Sequence, residues 1–74
     1  MKQIDYSMRL KYKDNSYVWN EDYSAIVSDH ITIRQHAQQT VDRYNKDPHR
    51  RKKVELVMVR NLPKRYIIQI KNEL

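Results

Sequence analysis

The side chains of this chain with the widest chemical reach are His30, His36 and His49, its three histidines. Imidazole moves protons near neutral pH and ligates metals. His30 and His36 stand six residues apart, which does not place them on one helical face. No Asp or Glu lies at a ligand spacing from them, and cysteine is absent. No metal site and no cofactor are therefore expected. Asp29-His30 sets an acid beside a base, but at the start of a helical stretch, where Asp29 reads first as a cap. His49 opens the run "HRRKK". Cations around a histidine could stabilise the charge of a phosphoester in cleavage. The sequence positions no second catalytic group beside His49, so the chain is expected to be non-catalytic.

What remains is chemistry of charge. Fifteen Lys and Arg stand against nine Asp and Glu, a net charge of +6. Such a balance favours anionic partners, nucleic acid or an acidic protein. Guanidinium binds phosphate through two parallel hydrogen bonds, so Arg50 and Arg51 are the leading contacts. The competing role of Lys52 and Lys53 is to keep the apolar segment after them soluble.

The chain has no glycine, which excludes the glycine-dependent phosphate loops and the glycine-bearing signatures of common RNA modules. Its 74 residues suit one small domain. A chain this short buries only about 60% of its unfolded surface, so dimerisation is an expected source of further burial. The Met1 end has no apolar signal-peptide core, and no segment approaches the roughly 20 apolar residues of a membrane span. A cytoplasmic chain without membrane contact is expected.

Hydropathy periods supply the elements that must carry these charges. Ile4, Tyr6, Met8, Leu10 and Tyr12 alternate with polar residues, the pattern of a half-buried strand over 4–12. "KDNS" follows, with Asp14-Asn15 suited to a two-residue hairpin turn. Setting Lys13 against Ser16 pairs Tyr12 with Tyr17, Leu10 with Trp19, Met8 with Glu21, Tyr6 with Tyr23 and Ile4 with Ala25. Glu21 is the one polar residue in that set, and "NED" around it suggests a bulge or the end of regular pairing. Ile33, Ala37, Val41 and Tyr44 then recur at helical spacing. Thr32 with Gln35 forms a capping-box pattern, Asp29 is a rival cap, and Pro48 ends the helix before Asp47. Residues 54–60 and 65–71 read as strands. The expected fold is α+β, a four-stranded, mostly antiparallel sheet with one helix on one face (ββαββ).

Direction alone then gathers charge. With the first strand running up, the turn after it, the loop "DPHRRKK" and the end of the last strand all lie at the top. Lys11, Lys13, Arg50, Arg51, Lys52, Lys53 and Lys71 should share one rim, with His49 beside them. Arg43 and Lys46 extend it, although both also suit the negative end of the helix dipole. The aromatic residues are read as core beneath the helix; the alternative is a base-stacking platform, which needs exposed rings. The other sheet face would carry Val18, Ile26, Val57, Val59 and Ile67, an apolar patch fit for a partner protein or a second copy of the chain.

The layout is similar to that of small bacteriophage proteins that take over host machinery or block its defences. The hairpin "YSMRLKYKDNSYVW", the helix "TIRQHAQQTVDRYNKD" and the return strand "KKVELVMVRNL" carry the resemblance, with "RYIIQIKNEL" as an addition. It is a resemblance of architecture and transfers no site residues. It implies a host-directed regulator or inhibitor. Basicity separates this chain from inhibitors that mimic DNA with acidic surfaces. The leading expectation is a small nucleic-acid-binding regulator, with RNA placed ahead of DNA. The second is an inhibitor or adaptor docking on a host protein through the apolar sheet face.

Overall fold

A computed structural model describes residues 1–62. Alternating side chains build the hairpin first. Strand β1 (Lys2–Tyr12) pairs antiparallel with β2 (Val18–Val27). The register is Ile4 to Ala25, Tyr6 to Tyr23, Met8 to Glu21 and Leu10 to Trp19, as the alternation requires. A one-residue slip would turn the apolar set to the wrong face, which is why the pattern specifies the pairing so strongly.

The connection itself differs from the two-residue turn expected. Tyr12 N–H donates to the Tyr17 carbonyl, so residues 13–16 form a four-residue loop. Asn15 N–H bonds the Tyr12 carbonyl, and within the loop Asn15 alone takes a positive φ, 64°. Four-residue hairpin loops are commonly built around a type I turn. Asn tolerates the left-handed region better than most residues, and here only one such residue is needed. Asp14 Oδ1 accepts the Ser16 N–H at 2.9 Å and tightens the loop.

Helix α1 (Ile33–Lys46) begins at Thr32. Thr32 Oγ1 accepts from the Gln35 N–H at 3.1 Å, and Gln35 Oε1 accepts from the Thr32 N–H at 2.9 Å. This capping box displaces Asp29, which instead meets the Met1 amino group at 3.3 Å. Thr32→Ala is expected to cost about 1 kcal/mol in urea unfolding, with an unchanged m-value. At the other end Asp47 is extended ahead of Pro48, and the helix stops there.

Strand β3 (Val54–Asn61) adds to the free edge of β1, antiparallel, giving the order β2-β1-β3. The fold is thus α+β, one helix on a three-stranded antiparallel sheet. The fourth strand expected over 65–71 lies outside the described residues. The core joins Ile4, Tyr6, Met8 and Leu10 of β1 to Ala37 and Val41 of the helix and to Val54. Burying each of the larger side chains contributes about 1.5–3 kcal/mol.

The irregularity of the sheet is in β3, not at "NED". Leu10 faces Leu56 and Arg9 faces Met58, so Val57 is an extra residue with no partner on β1. The bulge shifts the side-chain phase by one. Val59 therefore faces Met8 and packs against the core, where unbroken alternation would have put it on the open face. Met58 takes the open side in its stead, 48% exposed. No helix among the described residues is long and apolar enough to cross a membrane.

Candidate nucleic-acid interface

The end of the sheet that carries the basic loop is held by a small set of hydrogen bonds. Asn45, in the last turn of α1, clamps the start of β3 with its amide. Nδ2 donates to the Val54 carbonyl at 3.0 Å and Oδ1 accepts the Val54 N–H at 2.7 Å. Within the loop, Asp47 Oδ1 accepts the His49 N–H, and the Asp47 carbonyl accepts the Arg50 N–H. The Lys13 N–H donates to the Lys53 carbonyl at 3.0 Å, tying the hairpin loop to the basic loop. The two loops thus form one rim, as strand direction predicts.

The cations on it are not equivalent. Lys11 faces Glu55 at 3.7 Å and donates to Asn15 Oδ1. Lys52 faces Asp14 at 3.3 Å, donates to Ser16 Oγ at 3.0 Å and stands 5.2 Å from the Tyr12 ring centroid. Hydrogen bonds from Ser16, with Lys52 alongside, hold the Asp14 carboxyl below its ordinary value. Lys53 donates to the Asn45 carbonyl at 2.6 Å, where the helix dipole is negative. Arg43 reaches Thr40 Oγ1. The Arg50 guanidinium lies over the Tyr44 ring, 4.2 Å from its centroid. Lys13, Lys46 and Arg51 are exposed and have no ionic or hydrogen-bonding side-chain partner among the described residues. His49 is exposed, with no acid or base set against its ring among those residues. Lys71 lies outside them.

Aromatic side chains adjoin this rim. Tyr6 is fully buried, its hydroxyl 2.5 Å from His36 Nδ1. Tyr17 was expected in the core and is not: it is 61% exposed. Its ring stacks on Trp19, centroids 5.8 Å apart and planes 19° apart. Trp19 in turn meets Tyr12 at 5.0 Å. The reason is where the helix lies. It packs chiefly on β3 and β1, so the helix-side face of β2 is only partly covered.

Glu21 is the residue whose importance the sequence pattern hid. Its Oε1 accepts from Trp19 Nε1 at 3.1 Å, and its Oε2 accepts from Tyr44 OH at 2.8 Å and Tyr23 OH at 2.9 Å. The two phenol oxygens also touch each other, so two phenolic protons serve three oxygen–oxygen contacts. Burial alone would raise the Glu21 carboxyl. The hydrogen bonds from Tyr44, Trp19 and Tyr23, with the Arg50 charge, outweigh it and hold the carboxyl low. Tyr23 and Tyr44 are pushed up, mainly by burial. A polar residue on the apolar side of a strand, with Trp and Tyr at i−2 and i+2, was the available signal. It marks a carboxylate serving aromatic donors rather than a break in pairing.

The open sheet face is less apolar than expected. Its central row is Gln3, Asp5, Ser7, Arg9 and Lys11. Gln3 Nε2 bridges Asp5 and Ser24, and Arg9 Nε donates to Asn20. Val18 and Ile26, 51% and 63% exposed, sit toward opposite ends of β2, and Val57 and Met58 lie across the polar row on β3. Val59 is on the core side, and Ile67 lies outside the described residues. One continuous apolar patch is not formed by the described residues.

Comparison with protein-family models, curated proteins and solved structures finds no match. The reading of the site therefore rests on its own geometry. Among the described residues no three His, Asp or Glu side chains gather as a metal site would require.

Proposed function

We propose that this chain is a small, non-catalytic, cytoplasmic nucleic-acid-binding regulator, with RNA placed ahead of DNA. The observation that carries the reading is the tie between the two loops. The Lys13–Lys53 backbone bond and the Asn45 clamp on Val54 hold two cation-bearing loops in one rim. Lys13, Lys46 and Arg51 are left with their charges uncompensated by the described residues. A pre-arranged cationic rim suits the phosphate backbone, because no ordering of long loops is needed on binding. Capture of this kind is largely independent of base sequence and strongly dependent on salt.

Docking of a host protein on the open sheet face has less support. That face is crossed by a hydrogen-bonded polar row, and the apolar side chains of the described residues flank it without forming one continuous patch.

Fluorescence anisotropy of a labelled single-stranded RNA, titrated with the protein at several salt concentrations, tests the proposal. Binding at micromolar concentrations or tighter near physiological salt is expected. Its logarithm should fall linearly with the logarithm of salt, with a slope of about −2 to −3 for roughly three to four phosphate contacts. Absence of binding at low salt would overturn the reading.

A further inference from the structure

We infer that the ligand of this rim is single-stranded nucleic acid, and that Tyr17 is the surface on which a base stacks. The inference rests on the proposed function and makes it more specific. A tyrosine exposed beside a cationic rim has two ordinary fates. It is either a solvated side chain or a platform for a flat partner. Three observations favour the platform. The ring is supported from beneath by Trp19, nearly parallel at 19°. Trp19 is itself anchored, through Nε1 to Glu21 and by contact with Tyr12. The ring adjoins the loop that carries Lys13 and receives Lys52 on Ser16, so phosphate-binding charge lies next to the stacking face.

The arrangement excludes a duplex as the preferred ligand. Bases in a duplex are stacked on each other and present edges, not faces, to a protein. Single strands offer their faces, and an aromatic ring takes any of the bases because every base has a π-face. RNA and DNA share this chemistry, and Tyr17 does not choose between them.

The test uses the whole chain and probes of equal phosphate number: oligouridine, oligothymidine, an abasic strand and a duplex. Trp19 is the single tryptophan, so its emission reports directly on the stack above it. Oligouridine or oligothymidine is expected to bind about tenfold tighter than the abasic strand and to quench Trp19, as stacking one base implies. Tyr17→Ala should remove that tenfold difference and leave abasic binding unchanged, while Tyr17→Phe should keep it. The ratio of oligouridine to oligothymidine binding, ribose against deoxyribose, shows whether RNA or DNA is the better source of the same chemistry. Equal binding of base-bearing and abasic strands by the unaltered protein would overturn the stacking role and leave phosphate capture standing. Tighter binding of the duplex would likewise overturn it. Failure of every probe would remove the proposed function along with it.

Discussion

Reversing the charge of Lys13 and Arg51 together is expected to weaken RNA binding about a hundredfold near physiological salt and to reduce the salt slope by about 1.4, the share of two phosphate contacts on a single strand. Both side chains are exposed and without partners among the described residues. Lys13→Glu with Arg51→Glu therefore removes two phosphate contacts and adds two repelling charges without breaking a described side-chain interaction. Arg50 would be a poorer choice, although it too is exposed. Its guanidinium covers Tyr44 and lies within the field of Glu21, so its loss would disturb the fold as well as the rim. Anisotropy titrations of the double variant, with circular dichroism to show that it folds, decide the matter. Undiminished affinity with an unchanged slope would mean that the rim is a solvated surface.

Glu21→Ala is expected to destabilise the protein by about 2–3 kcal/mol, because three donors lose a charged acceptor at once. Half-exposure lets water replace part of the loss, which keeps the figure at that level. For a domain of this size that is a large share of the whole stability. Glu21→Gln retains a neutral acceptor and should cost less. The two variants also differ from the unaltered protein in acid. The folded-state carboxyl of Glu21 is held below the ordinary glutamate value of 4.5. Its contribution is therefore present above that value and is lost as pH falls through the depressed folded value. Urea midpoints of the unaltered protein should fall on acidification below about pH 4.5, and those of Glu21→Gln should fall less. Asp14, also depressed, keeps the variant's acid limb from being flat. Parallel acid limbs would show that Glu21 is not the group concerned.

The hairpin pairing was legible because its cause is local. A period of two over nine residues, facing a second alternating run, excludes the one-residue slip that would turn Ile4, Tyr6 and Leu10 away from their apolar partners. The end of the helix was legible for a similar reason, since Pro48 disfavours helical geometry at Asp47; its start has two rival caps in the sequence, Thr32 and Asp29, and only the Thr32–Gln35 capping box of the structure decides between them. The rim followed from strand direction, which needs no knowledge of strand order.

Less local features were hidden. That β1 is central depends on which edge β3 meets, a choice among surfaces that no segment carries within itself. The bulge at Val57 reversed the phase of Val59 and Met58, and a single extra residue leaves no mark in an apolar run such as "VELVMV". Tyr17 has the same alternation as Trp19, so periodicity assigns both to the core. Its exposure arises because the helix sits over β3 and β1 and covers β2 only in part.

By itself, then, the sequence determined the hairpin register, the helix and the gathering of cations at one end, since each follows from short-range period, capping or chain direction. Only the tertiary structure decided the strand order, the core-side placement of Val59, the carboxylate role of Glu21 and the exposure of Tyr17. Each of these depends on how distant elements share a limited apolar surface, a quantity that exists only once they are packed together.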